Sequence, residues 1–349
     1  MGSGNDAGDA DRAGRRLTVA VTGPTGEIGR AAVRALEARD EIGRIVGMAR
    51  RPFDPAEHGW SRTEYRQGDI LDRGSVDELV AGADVVVHLA FIIFGGHHEA
   101  HEINLQGSRN VFEATAAAGA KRLVYTSSVA AYGFYDDNPE VLTEEIEARG
   151  TDDFYYSAHK AELEGLLDEV LAGSGVDAYV LRPCIVAGAD APALVTNLGS
   201  GNVAADLLGP MRRALDAAPV VKPVLPNPGT RFQLVHHDDV AAAVAAAVVG
   251  EGEPGAYNLA ADDEITVADI ARELGWLSVP VPRAAIGALA SAVRLAPLVP
   301  AEAQWVNAFR RPVLMDCSRA KRTLGWAPRR SSRETLAETV AAARERKQI

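Results

Sequence analysis

From Leu17 onward, short runs rich in Val, Ile and Leu alternate with stretches whose apolar residues recur every three or four positions. The runs Leu17–Val21, Arg44–Met48, Glu64–Gln67, Asp84–Leu89, Arg122–Thr126 and Ala178–Leu181 predict strands. The stretches between them predict helices over Glu27–Arg39, Ser75–Val80, Glu99–Ala118 and Tyr155–Ala172. Such strand–helix alternation implies an α/β fold built on a doubly wound parallel sheet. The run VVVHLA, Val85–Ala90, shows no polar alternation, as expected of a strand covered on both faces.

The pattern breaks after Gly188. From there to Gly229 the chain is rich in Pro, Gly and Ala, with a helix expected near Val203–Leu215. The sheet is expected to resume at Gln233–Val235, followed by a helix from Asp238 to Val248, capped by Asp238, and a strand at Tyr257–Leu259. The remainder reads as mostly helical. Residues 17–183 and 232–259 are therefore assigned to the sheet domain. Residues 184–231 and 260–349 are assigned to a smaller, mostly helical C-terminal substrate domain, and residues 1–16 to a polar, Gly-rich flexible tail.

Composition narrows the partners. The 349 residues carry a formal net charge of −12, which disfavours nucleic acid and anionic membrane surfaces. The apolar stretch Ala284–Val299, broken by Arg294 and Pro297, is too short to span a bilayer and reads as a buried amphipathic helix. No secretory signal is visible, and the two cysteines, Cys184 and Cys317, lack metal-ligand spacing. A reducing, cytoplasmic setting is expected.

Candidate chemistry begins at the first strand–helix junction. In LTVAVTGPTGEIGRAAVRAL, Gly23 permits a tight turn, Gly26 lets backbone approach a pyrophosphate, and Gly29 lets the helix pack close to the strand. This is a dinucleotide cradle of the Rossmann kind, with Thr25, Glu27 and Ile28 completing it. Glu27 is expected to turn to solvent, away from phosphate. The second strand ends in Gly47-Met48-Ala49-Arg50-Arg51, with no carboxylate for a ribose hydroxyl and two guanidiniums for a 2′-phosphate. NADP(H) is favoured, with NAD(H) possible.

The G-x-x-G-x-x-G spacing resembles the short-chain dehydrogenase/reductase superfamily, and the order of later motifs resembles its extended branch, the NAD-dependent epimerase/dehydratase family, over about Leu17 to Pro328. The resemblance implies further cofactor contacts: Asp69 and Ile70 at the adenine, Leu89, Ala90 and Phe91 beside the adenosine ribose, Thr126 at the fifth strand end, and Pro183, Ile185 and Val186 against the nicotinamide. It implies that Asn104 braces the sheet, and it suggests a homodimer through the helices Glu99–Ala118 and Tyr155–Ala172.

Tyr156 and Lys160 lie four residues apart and share a helix face. With Ser128 at the fifth strand end, they resemble the family's catalytic set. Hydride transfer to a carbonyl builds negative charge on oxygen, which Ser128 would stabilise and Tyr156 would protonate. Lys160 and the nicotinamide ring would favour the phenolate, and Lys160 would also hold the nicotinamide ribose. Phe94, Ser127, Tyr132 and Cys184 are candidate substrate walls beside Ser128. Of the histidines His97, His98 and His101, none has a metal-ligand partner set; a solvent-facing loop at the pocket mouth is expected, and no metal is assigned.

The segments Phe91–Phe94 and Ala187–Val195 are apolar, and Phe232 stands where nucleotide-sugar enzymes of the family carry a phosphate-binding Arg. A small apolar carbonyl or hydroxyl substrate is the first expectation. The alternatives are a nucleotide-sugar epimerase or dehydratase with retained NAD, and a non-enzymatic NADP-sensing protein.

Overall fold

The computed structural model describes residues 15–92, 97–151, 154–199, 222–282 and 311–349. The expected helices near Val203–Leu215 and Ala284–Val299, together with Phe94 and nearly all of the expected tail, lie outside the described residues.

Seven strands form one parallel sheet: β1 (Leu17–Thr22), β2 (Ile42–Ala49), β3 (Thr63–Gln67), β4 (Val85–His88), β5 (Arg122–Thr126), β7 (Asp177–Pro183) and β11 (Gly255–Leu259). Their order in space is β3-β2-β1-β4-β5-β7-β11. The chain thus winds outward from β1 in one direction and from β4 in the other. The reversal leaves a crevice at the carboxyl ends of β1 and β4, the place where such sheets take ligands.

Alternate residues on each strand feed different cores. Val19, Val21, Val85, Val87 and Leu181 pack beneath α1 (Glu27–Glu37) and α6 (His237–Val249). Ala20, Val86, Leu123 and Val180 face α2 (Arg73–Val80), α3 (His97–Ala117) and α4 (Tyr155–Leu171). Each fully buried aliphatic side chain contributes roughly 1.5–3 kcal/mol, so a two-faced sheet needs the unbroken apolar runs seen in the sequence. Helix α6 is buried almost all round, as its Ala and Val content requires.

Against one end of this layer sits a third core. It joins Ala187, Phe232, Leu234, Ile265, Ile270, Leu336 and Val340. Its helices are α5 (Ala193–Gly199), α7 (Val267–Leu274) and α9 (Ser332–Glu345), while α8 (Ser318–Thr323) packs with Ala320 into the first core beside β11. Two short parallel pairs stitch it together, β8 (Ile185–Ala187) with β10 (Leu234–His236) and β9 (Val224–Asn227) with β12 (Leu277–Pro280); a third, β6 (Val141–Leu142) with β13 (Leu314–Met315), packs into the first core. This corrects the expectation that Gln233–Val235 rejoins the main sheet. The edge beside β7 is taken by β11, and β10 continues the direction of β8 instead. Asp238 is also not the cap of α6. His236 is, its ring nitrogen accepting from the Asp238 N–H at 3.1 Å, while Asp238 lies in the first turn and pairs with Arg34.

Candidate active site

The glycine loop joins β1 to α1 by close backbone contacts. Gly23 has φ +73°, and a Cβ there would lie 2.9 Å from the Ala90 nitrogen. A Cβ at Gly29 would lie 2.1 Å from the Gly23 carbonyl oxygen. Gly26 caps α1 without any side-chain hydrogen bond, leaving the first-turn N–H groups for a ligand. These glycine surfaces fit a dinucleotide pyrophosphate. Glu27 departs from expectation. Its carboxylate accepts from the Ala193 N–H at the start of α5, and burial raises its pKa against that bond and the nearby Arg30 and His237. The start of α5 lies over this position, so the side chain has a partner as well as solvent.

Arg50 and Arg51 extend beyond β2 with exposed side chains, while their carbonyls accept from Gln67 and Tyr65. The Asp69 carboxylate accepts from the Leu71 N–H at 3.0 Å and shapes that turn. Ile70 is buried against Gly107. Leu89, Ala90 and Phe91 run partly exposed along the crevice, and Asn104 braces them through paired hydrogen bonds to the backbone of Ile92. Pro183 ends β7, with Ile185 and Val186 half-buried just beyond.

Tyr156 and Lys160 emerge from one face of α4 toward the end of β5. The Tyr156 and Ser128 side chains share a hydrogen bond; burial raises the Tyr156 pKa and that bond lowers it. Lys160 Nζ donates to the Thr126 carbonyl at 2.9 Å, reaches the Tyr125 hydroxyl at 3.4 Å, and sits 3.8 Å from the Phe91 ring centroid. Burial brings its pKa down to about 7, with Glu164 opposing the fall. Phe91 stands edge-on to Tyr156, and Phe154 and Phe134 complete an aromatic nest around it. Tyr155 points elsewhere, onto His159.

Three expected substrate walls prove to be interior. Ser127 turns its hydroxyl away from the crevice and donates to Glu164 at 2.5 Å. Tyr132 is fully buried and donates to Asn258 at 2.7 Å. Cys184 lies in the core with Cys317, and burial pushes its thiol well above the ordinary range. The histidine segment is not a loop at the pocket mouth: His97 begins α3, and His101 lies edge-on to His159 of α4.

Sequence reasoning missed two features. One is His88, fully buried between Thr22 (2.7 Å) and Ser108 (2.8 Å), its pKa lowered to about 3 by burial and by Lys160. The other is a cleft of about 280 Å³ next to Ser128, walled by Val129, Phe134, Leu142, Pro312 and Val313, with Tyr135 and Arg311 at its polar side. His236, His237 and Glu338 also offer ligand atoms within 4.8 Å of one another. The His236 Nδ1 accepts a backbone N–H, however, so its Nε2 carries the proton and donates to Glu338 at 3.0 Å. That tautomer closes the cluster to a metal.

The NAD dependent epimerase/dehydratase family model matches residues 19–260. An uncharacterized Sinorhizobium fredii protein, y4nG, is 30% identical over 92% of this chain and 77% of its own length. Human 3 beta-hydroxysteroid dehydrogenase type 7 is 33% identical over 50% of this chain; the match spans about half of that relative, 51%. Among solved structures, the dTDP-glucose 4,6-dehydratase of Streptomyces venezuelae with NAD bound superposes with a TM-score of 0.70 at 21% identity, covering 95% of this chain and 98% of that one. Among the described residues no helix is long and apolar enough to cross a membrane. With the glycine cradle and crevice built as that family requires, this chain is an NAD-binding oxidoreductase that belongs to the NAD-dependent epimerase/dehydratase family.

Proposed function

We propose that this enzyme moves hydride between a nicotinamide dinucleotide and the carbonyl or hydroxyl carbon of a small apolar compound, using Ser128, Tyr156 and Lys160. The observation that carries the reading is their convergence: a serine at a strand end, hydrogen-bonded to a phenol, with an ammonium one helical turn further on. Gly23, Gly26, Gly29 and the start of α1 would hold the dinucleotide, which would supply or accept the hydride. Ser128 donates a hydrogen bond to the substrate oxygen as charge builds there. Tyr156 Oη gives its proton to that oxygen in reduction and takes it back in oxidation. Burial favours the protonated phenol, the form that reduction needs. Lys160, on the same helix face, would favour the phenolate when charged and would hold the nicotinamide ribose of a bound dinucleotide.

The Phe91 ring and the Val129, Phe134, Leu142, Pro312 and Val313 side of the cleft support a substrate with an apolar part, while Asn138, Glu140 and Arg311 line the rest of that cleft. So does the similarity, over half of this chain, to a relative named as a hydroxysteroid dehydrogenase. Arg50 and Arg51, free of any carboxylate partner among the described residues, support NADP(H) over NAD(H). We also assign a homodimer through α3 and α4 and a cytoplasmic location, the first checked by light scattering at micromolar concentration.

The test is a titration with NADPH and NADH by fluorescence. Cofactor absorbance is then followed with 1-indanone, 4-phenyl-2-butanone, a 3-ketosteroid, UDP-glucose and dTDP-glucose. Net NADPH oxidation with the ketones, abolished in Tyr156→Phe, is the expected result. Conversion of a nucleotide sugar without net cofactor change overturns it in favour of an epimerase or dehydratase. Tight cofactor binding with no turnover of any class favours a sensor.

A further inference from the structure

Below Ser128 lies a buried charge pair that the reaction just described does not use. Arg182 of β7 grips Glu164 of α4 with two hydrogen bonds, Nε to Oε1 at 3.0 Å and Nη2 to Oε2 at 2.5 Å. Both side chains are under 10% exposed. The guanidinium lies 4.6 Å from the Tyr132 ring centroid, and the Tyr132 phenol donates to Asn258. Asn258 in turn donates to the carbonyls of Leu142 and Asp316, beside the β6–β13 pair. Removing two charges from water costs more than their attraction usually returns, and an apolar pair of similar shape often serves stability as well. Stability alone therefore gives little reason for this pair.

Its geometry supplies one. Tyr156, Lys160 and Glu164 are spaced four apart and share one face of α4. Each engages a different residue at the end of β5. Lys160 takes the Thr126 carbonyl, Glu164 takes the Ser127 hydroxyl, and Tyr156 meets the Ser128 hydroxyl. Three consecutive residues are thus pinned by three consecutive turns of one helix. Ser127 and Ser128 are adjacent on extended backbone, so their side chains leave on opposite sides. The Ser127 anchor sets the backbone from which Ser128 departs, and the Ser128 oxygen also accepts from the Ala130 N–H at 3.2 Å, which leaves its proton side open to Tyr156.

We propose that Glu164 is a positioning residue: clamped by Arg182, it anchors Ser127 and so aims the Ser128 hydroxyl at Tyr156. This rests on the reading of Ser128 and Tyr156 given above. The charge pair is then retained for placement, with Ser127 as its handle.

The test reads Tyr156 directly, without turnover, by NMR titration of the full-length protein carrying tyrosine labelled at the ring hydroxyl carbon. The Tyr156 signal is assigned by its loss in Tyr156→Phe. Ser128→Ala should move the Tyr156 titration upward, because the hydrogen bond that opposes burial is gone. Ser127→Ala should move it the same way, although Ser128 is intact. So should Glu164→Leu combined with Arg182→Met, which removes both charges together and avoids leaving one buried alone. Adding Ser127→Ala to that double variant should change nothing more. An unchanged Tyr156 titration in Ser127→Ala, or in a folded double variant, overturns the proposal.

Turnover gives the second readout, on whichever ketone of the panel is reduced fastest. Both variants should lose about 10- to 100-fold in kcat, as misplaced groups do, with KM and NADPH affinity held. If Tyr156→Phe retains full activity while the titrations shift as expected, the catalytic reading fails and the positioning one stands.

Discussion

The two rims of the crevice are held in place by different forces. At the glycine loop the tightest contacts are backbone against backbone, Gly29 against the Gly23 carbonyl and Gly23 against Ala90, with the Thr22 hydroxyl accepting from the Ala90 N–H at 3.3 Å as a side-chain supplement. At the far rim, around Ser128, side chains do the holding: Lys160 on Thr126, Glu164 on Ser127, and Tyr132 on Asn258. Backbone contacts tolerate only the absence of a Cβ, whereas side-chain contacts tolerate no change of chemistry. Damage to the first rim should appear as lost cofactor binding, and damage to the second as lost rate.

The largest expected effect lies on the second rim. Tyr156→Phe should lower kcat by about 10²- to 10⁴-fold while leaving NADPH affinity within twofold, read by steady-state kinetics and fluorescence titration. A parallel fall in affinity would break the contrast between the rims. Gly29→Ala tests the opposite case. Its methyl group has no room, so stability should fall by roughly 1–3 kcal/mol, with cofactor affinity falling alongside, measured by urea denaturation and NADPH titration.

His88 stands between the rims, and its effect depends on pH. The folded protein resists protonating it down to about 3, whereas the unfolded chain takes a proton near the ordinary 6.5. Its contribution is therefore complete above about pH 6.5 and is lost steadily as the pH falls toward 3. Between pH 7 and pH 5 this amounts to ~2 kcal/mol. His88→Gln should flatten that part of the urea-midpoint profile relative to wild type; parallel profiles would deny His88 the role.

Smaller effects sharpen the contrast further. Replacing both Arg50 and Arg51 by Ala should cost about tenfold in NADPH affinity, or ~1.4 kcal/mol, with NADH affinity unchanged. Equal losses for both cofactors would remove the arginines from 2′-phosphate recognition. Tyr132→Phe should cost ~1 kcal/mol of stability and leave both cofactor affinities alone, as calorimetry and titration would report.

What could be read from the sequence follows the same division. The glycine cradle and the Tyr156–Lys160 pair lie within one turn of chain each, so local spacing revealed them. The central strands of the main sheet were equally visible, because burial on both faces writes itself as unbroken Val and Leu, whereas the edge strand β3, TEYRQ, is polar and mostly exposed. Partners distant in sequence were not visible. Tyr132 and Asn258 are 126 residues apart, Ser127 and Glu164 are 37 apart, and the cleft beside Ser128 joins segments near 130 and 312. Glu27 reads as a solvated charge because nothing nearby in sequence announces that α5 will supply an N–H to it. Two signals were nonetheless present. Glu164 continues the four-residue spacing of Tyr156 and Lys160, and two serines in succession on extended chain cannot face the same side.

The cysteines of this chain have a practical use. There are two in all, Cys184 and Cys317, and both are buried with their thiols raised by burial. Cys184 lies under the crevice, and Cys317 caps α8 against the same core. A maleimide in the surrounding solution has no native thiol to label. Labelling then reads opening of the core where the sheet meets the C-terminal helices, the seam that holds both thiols. Labelling rate, with and without dinucleotide, is thus a built-in clock for how often that seam parts.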